Sequence, residues 1–190
     1  SDVYKRQVHL NNWLEDKGYL VVKEGLSGGD AKLLDFVDWT QTRAYALGLG
    51  FVYLNLQGRE KGGIVAPEDG PKLLAEIRSD LMATTEDGAQ VCSDAYILAE
   101  RRSGPYLSKE ADLICGFAPP YRVSWSSTMG GMKLSQPDGG GAWAPGPIYE
   151  DNTSPWSGGH VSLDVEKVRG VFFSNRKVDV PEDGGVHALH

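Results

Sequence analysis

The sequence predicts an α/β fold, in which helices and strands interleave along a chain of 190 residues. Some segments place apolar residues at i, i+3 and i+4, which is typical of a helix face, and others are short apolar runs typical of strands. An apolar content of 41% can fill a core, and the length suits one domain or a large piece of one. Such interleaving favours a layered α/β architecture. The alternation is too irregular for a complete doubly wound sheet and fits one side of such a sheet.

The first elements come before residue 40. Residues 8–17 predict a helix because three apolar residues share one face, and Gly18 can end it. Residues 19–22 predict a short strand. Residues 31–39 are ambiguous, with weak helical spacing.

The middle of the chain carries a clear pair of strands and the clearest helix. Two strand-like runs lie within residues 43–56 and are separated by Gly48 and Gly50. Pro67 then opens a helix predicted over residues 68–84. The apolar stripe of this helix consists of Leu73, Leu74, Ile77, Leu81 and Met82.

The second half of the chain predicts further strands around a long irregular stretch. Residues 94–102, 111–118 and 122–128 each read as strands. Residues 129–158 are rich in Gly and Pro and predict a long loop, lid or linker. A final strand is predicted at residues 168–175.

Charge and cysteine content narrow the class of protein. A net charge of −7 argues against a nucleic-acid-binding surface, which needs clustered Lys and Arg. Cys92 and Cys115 lack CxxC spacing, so a structural zinc site is not expected. We expect two buried thiols, and one disulfide stays open as the alternative. No run approaches the ~20 apolar residues of a membrane-spanning helix.

Both ends of the chain are expected to be cuts rather than natural termini. Residues Ser1–Gln7 resemble translated adapter sequence and are left out of the fold prediction. The fold prediction therefore covers residues 8–190.

A histidine near the carboxyl end is a candidate functional residue. His160 follows Gly158 and Gly159, which allow a sharp turn close to a ligand. On the residues alone, it can be a metal ligand, an acid/base or a surface imidazole. His9, His187 and His190 show no ligand spacing with it and are expected to have no such role.

Several segments, in this order along the chain, resemble the type I phosphodiesterase/nucleotide pyrophosphatase family of the alkaline phosphatase superfamily. Together they span most of residues 8–180. The matching segments are LNNWLEDKGYL (10–20), VDWTQTRAYALGLGFVYLNLQGREKGGIV (37–65), ADLICGFAPPYRVSWSSTMGG (111–131), IYEDNTSPWSGGHV (148–161) and VRGVFFSNRKV (168–178).

The resemblance implies a metal-dependent phosphodiesterase or phosphohydrolase acting on a phosphate ester or a nucleotide pyrophosphate bond. Such enzymes hold two divalent metals, usually zinc, at the carboxyl ends of a parallel sheet. A Thr or Ser nucleophile attacks phosphorus, and the phospho-enzyme is then hydrolysed. The implied fold is part of an alkaline phosphatase-like sheet-and-helix sandwich, truncated at both ends.

The resemblance also assigns individual positions. His160 matches the last metal ligand of the family, while the family's Asp-His-Gly motif would fall at or before Ser1. The nucleophile and the other ligands therefore lie outside this chain, which by itself should have little or no catalysis. Many relatives carry Asp where this sequence has Gly159, so support of the imidazole by that Asp is absent here.

The loop LQGREKGG (56–63) offers candidate substrate contacts. Arg59 and Lys61 can bind phosphate there, or the loop can be a solvated turn. Thr40 and Thr42 match no nucleophile motif.

Two further groups of residues are expected to have structural roles. Arg122 and Trp125 are expected to have a structural role. Residues 150–152 are expected to organise the histidine turn or cap a helix.

Two alternative functions stay open. A sulfatase-like or phosphoglycerate mutase-like member of the same superfamily shares the metal chemistry. A non-catalytic relative would keep the fold as a binding or scaffold module. The partner expected for the first interpretation is a small phosphate ester or nucleotide, with no nucleic-acid surface and no membrane segment.

Overall fold

A computed structural model of the protein describes residues 2–138, 140–153, 158–159, 173 and 175–176. Within these ranges the protein is a mixed α/β structure with three α-helices and several small sheets. The helices are α1 (Leu10–Asp16), α2 (Gly70–Ala83) and α3 (Trp125–Thr128). The strands are β1 (Asp2–Val3), β2 (Arg6–Val8), β3 (Ala44–Ala46), β4 (Phe51–Leu54), β5 (Thr85–Glu86), β6 (Ala89–Gln90), β7 (Cys92–Ile97), β8 (Leu113–Phe117), β9 (Tyr121–Val123), β10 (Leu134–Ser135), β11 (Ala144–Pro145), β12 (Tyr149–Asp151) and β13 (Gly158–Gly159).

The largest sheet has four antiparallel strands in the order β3-β4-β8-β7. Strands β3 and β4 form the predicted pair joined through Gly48 and Gly50, both of which have positive φ. Helix α2 packs against β7 and β8. Its apolar stripe faces this sheet, because Leu73, Leu74, Ile77 and Leu81 are buried.

The second sheet joins three distant parts of the chain in the order β12-β2-β9. Strand β2 runs antiparallel to β12 and parallel to β9. Among the strands of the described ranges, β2 and β9 are the pair that runs parallel. Strand β1, which precedes β2 in the chain, pairs antiparallel with β13.

Two buried asparagines connect helix α1 to the backbone of other parts of the chain through hydrogen bonds. The Asn11 side chain donates from Nδ2 to the carbonyls of Ala46 and Gly131 and accepts from the Ala46 amide. Asn12 makes the same kind of contacts with the backbone of Lys133 and Gly146. Paired donors and acceptors remove the cost of burying these amides.

Most predicted elements are confirmed, with shifted boundaries. The first helix is confirmed, and the helix predicted at 68–84 begins at Gly70, with Pro71 in its first turn. Residues 19–22 were predicted to be a strand, and this is wrong: they form a turn and one isolated bridge between Val22 and Val37.

Three predictions for the second half need correction or stay open. The strand predicted at 122–128 is wrong beyond Val123, because the Ser124 side chain accepts from the Ser127 amide and caps α3. The stretch predicted as irregular, residues 129–158, contains three short strands. The strand predicted at 168–175 falls almost wholly outside the described residues.

Residues left out of the fold prediction contribute to the structure. Tyr4 is buried, and Arg6 and Gln7 lie in β2 with partners on both sides. That Ser1–Gln7 is non-native sequence stays a prediction.

Within the described ranges, no helix is both long and apolar enough to cross a membrane.

Candidate functional site

The glycine pair ahead of His160 lies beside the first described residues of the chain. In the β1–β13 ladder, Gly159 is opposite Asp2 and Gly158 is opposite Val3. The ladder is antiparallel, so Asp2 and Gly159 lie at the same end of it. His160 itself lies outside the described residues.

A polar row crosses the three-stranded sheet next to this ladder. The register places Glu150 beside Gln7, and Gln7 beside Arg122. Neighbours in register project from the same face of a sheet, so an acid, an amide and a base share one face.

His9 extends this row at the end of β2. Its Nε2 lies 3.1 Å from Glu150 Oε2, and Lys133 Nζ donates to Glu150 Oε1 at 2.7 Å. Burial lowers the pKa of His9, despite the opposing effect of Glu150. The hydrogen bond from Lys133 is the main reason why the pKa of Glu150 is lowered. The arrangement favours a neutral imidazole that donates from Nε2, which leaves the buried Nδ1 without a partner.

Arg122 is a buried cation held by aromatic rings. Its guanidinium lies 4.3 Å from the ring centre of Tyr4 and 4.6 Å from that of Trp125. The residue is 6% exposed, and its Nη2 has no hydrogen-bond partner. No carboxylate of the described ranges forms a salt bridge with it. Trp125 is 59% exposed and covers Arg122 with one face.

Arg6 occupies the opposite face of β2 and is fully engaged by acids. It donates to Glu86, and its Nη1 donates to Asp151 at 2.8 Å. The hydrogen bonds that Arg6 donates to Glu86, and then to Asp151, raise its pKa. Asp151 therefore helps to hold the β2–β12 pair together. Whether residues 150–152 organise the histidine turn stays a prediction.

The guanidinium of Arg59 forms hydrogen bonds with other groups of the protein. Its Nη1 and Nη2 donate to the two carboxylate oxygens of Asp112 at 2.8 and 2.6 Å. Nε donates to Glu60 at 3.0 Å, and Nη2 also donates to the carbonyl of Leu54 at 2.7 Å. Four of the five N–H groups of the guanidinium are thus used. Lys61 is exposed in the same loop. Phosphate binding by Arg59 and Lys61 stays a prediction, and these contacts give Arg59 a structural role.

The two threonines that match no nucleophile motif have structural partners. Thr42 is buried and exchanges hydrogen bonds with the backbone of Val21. The Thr40 hydroxyl donates to Asp38 at 2.6 Å.

The part of the chain that the structure describes holds no group of three or more His, Cys, Asp or Glu side chains suited to a metal.

Sequence reasoning missed the association of Tyr4, His9 and Lys133 with this sheet. Tyr4 fell in the excluded segment, and Lys133 fell in the stretch predicted as irregular. His9 fell inside the helix predicted over residues 8–17, whereas the structure has it at the N-cap position.

No known family model, no curated protein and no solved structure matches the chain. The class of protein that the structure defines is mixed α/β.

Proposed function

We propose that the chain is the carboxyl-terminal portion of a metal-dependent phosphodiesterase or phosphohydrolase of the alkaline phosphatase superfamily. In this proposal His160 is a ligand to one of two divalent metals, usually zinc. The Thr or Ser nucleophile and the remaining ligands belong to sequence preceding Ser1. The described sheets and helices would then be one part of an alkaline phosphatase-like sandwich.

The observation that carries the proposal is the pairing of Gly159 with Asp2. The segments quoted above imply an Asp-His-Gly motif close ahead of Ser1 and a second ligand at His160. These positions are about 160 residues apart in sequence, and a shared metal requires them to meet in space. The β1–β13 ladder supports such a meeting because it joins the backbone adjoining both positions.

A second observation supports an anionic substrate. Arg122 stacks on Tyr4, which follows β1 directly, so a buried guanidinium lies near the ladder. A buried cation with no carboxylate partner is costly unless an anion neutralises it. A phosphate group held between the metals and Arg122 would supply that charge.

The chain alone should not hold a metal tightly. Zinc sites take about four protein ligands, or three and a water, and His160 is a single donor. When bound, the metals would stabilise the attacking and leaving oxygens at phosphorus. The role proposed for this chain is to carry the His160 imidazole to the site and to set Arg122 beside it.

The test uses the protein extended upstream to include the Asp-His-Gly segment. His160→Ala should lower bound zinc by about one ion per chain and reduce hydrolysis of a nitrophenyl phosphodiester by roughly 10²-fold or more. His187→Ala is the matched control and should change neither value. Unchanged metal content and rate in His160→Ala would refute the assignment. An extended protein that binds no metal and hydrolyses no ester would favour the scaffold interpretation.

A further inference from the structure

The two cysteines of the chain meet between neighbouring strands. Cys92 begins β7, Cys115 lies within β8, and both side chains are buried as free thiols. The expectation of two buried thiols is therefore confirmed. Their sulfur atoms are 3.2 Å apart. Because the chain has only these two cysteines, any thiol chemistry belongs to this pair.

An irregularity in the strand pairing brings the sulfurs together. Cys115 is opposite Ala95, whereas Cys92 is opposite Phe117, and the register shifts between Cys92 and Asp94. A shift of this kind bends the strand and redirects its side chains. The bend turns two residues that are not directly opposite toward each other.

Hydrogen bonds link the two thiols to each other and to the backbone. Cys115 Sγ donates to Cys92 Sγ, and Cys92 Sγ donates to the Asp94 carbonyl at 3.0 Å. Burial raises the pKa of the Cys115 thiol. Since the thiolate is the reactive form, the pair should resist oxidation as long as the strands stay closed.

We propose that Cys92 and Cys115 form a reversible disulfide when the protein meets a small-molecule disulfide such as oxidised glutathione. One thiolate attacks the glutathione disulfide and releases one reduced glutathione. The second thiolate then attacks the resulting mixed disulfide and releases another. The protein pair loses two protons and two electrons, and the oxidant takes them up as two thiols. The sulfurs need to approach by about 1.2 Å to reach bonding distance.

The position of β7 gives the oxidant a route to the pair. Strand β7 is at the edge of the four-stranded sheet, and Cys92 is its first residue, next to the exposed β6. Opening of strand ends at a sheet edge needs less free energy than global unfolding. Cys92 should therefore react first, and Cys115 should then resolve the mixed disulfide.

The test starts with the wild-type chain incubated with oxidised glutathione in native buffer. Peptide mapping by mass spectrometry should find one intramolecular Cys92–Cys115 link, and a reductant should reverse it. The oxidised protein should have a Tm roughly 5–10 °C higher, because the link closes a loop of the unfolded chain. Urea below the unfolding transition should accelerate the reaction.

Four results would overturn the proposal. They are a stable glutathione adduct on either cysteine, a disulfide-linked dimer as the main product, no link where an unfolded sample oxidises fully, and a linked protein with a lower Tm. Cys115→Ala is the companion variant and should stop at the glutathione adduct on Cys92. The wild-type measurement decides the question even if that variant does not fold.

Discussion

Arg59 and Asp112 form a two-pronged ion pair between the loop after β4 and the start of β8, with N–O distances of 2.8 and 2.6 Å. Asp112 Oδ2 also accepts from the Leu54 amide, and Arg59 also donates to the Leu54 carbonyl. The pair therefore closes a small network around the end of β4. Both side chains are mostly buried, so each depends on the other for its charge.

Arg59→Met should lower the free energy of unfolding by about 2–3 kcal/mol, because it leaves the Asp112 carboxylate buried without its cation. Lys61→Ala, in the same loop but exposed, should change it by less than about 0.5 kcal/mol. Urea unfolding of both variants measures the difference. If Arg59 serves substrate instead, Arg59→Met would keep its stability and lose phosphodiesterase activity in the upstream-extended protein.

His9 should make the protein less stable in mild acid. Its pKa in the folded state is below the ordinary 6.5, since burial disfavours the charged ring. As the pH falls below about 6.5, the unfolded chain takes up a proton that the folded chain does not, so the free energy of unfolding decreases. His9→Gln removes this term.

The comparison needs urea unfolding of both proteins at pH 7.5 and pH 5.5. Wild type should lose more stability over this interval than His9→Gln does. Glu150 loses its stabilising charge only at lower pH, because its pKa is lowered from 4.5. Equal losses in the two proteins would contradict the buried, neutral state of His9.

The two adjacent glycines of the loop after β4 should differ sharply in their tolerance of a side chain. Gly62 has a φ of +75° with open space around it, whereas a Cβ on Gly63 would overlap the carbonyl group of Leu56. Gly62→Ala should cost about 1 kcal/mol from left-handed backbone strain. Gly63→Ala should cost about 3 kcal/mol or more, because backbone atoms must move. Thermal unfolding of the two variants measures which one loses more stability. Equal losses would argue against the close approach of Gly63 to the Leu56 carbonyl.

Helix α2 and the β3–β4 pair could be predicted because their signals are local. A stripe of five apolar residues at helical spacing predicts a helix, and glycines between two apolar runs predict a turn. The sheet of β12, β2 and β9 gave no comparable signal. Its strands have three residues each, too few to show alternation, and their partners lie more than 100 positions apart.

Two candidate sites could be proposed from the sequence for the same reason, and both stay predictions. The motif around His160 is contiguous, and so is the charged loop with Arg59 and Lys61. The burial of Arg122 depends on its contacts with Tyr4 and Trp125, which no spacing in the sequence shows. Likewise, the sequence indicates that Asn11 lies on a helix, but not that it binds the backbone at Ala46 and Gly131.

The topology described above divides the chain into contacts of short and long range. Strands β3, β4, β7 and β8 and helix α2 all fall within residues 44–117, whereas β2 meets β9 and β12 from the other end of the chain. Contacts between distant residues form late in folding, because closing a long loop costs conformational entropy before the new contacts stabilise it. The four-stranded sheet with α2 should therefore form the folding nucleus, and the β12-β2-β9 sheet should be assembled last.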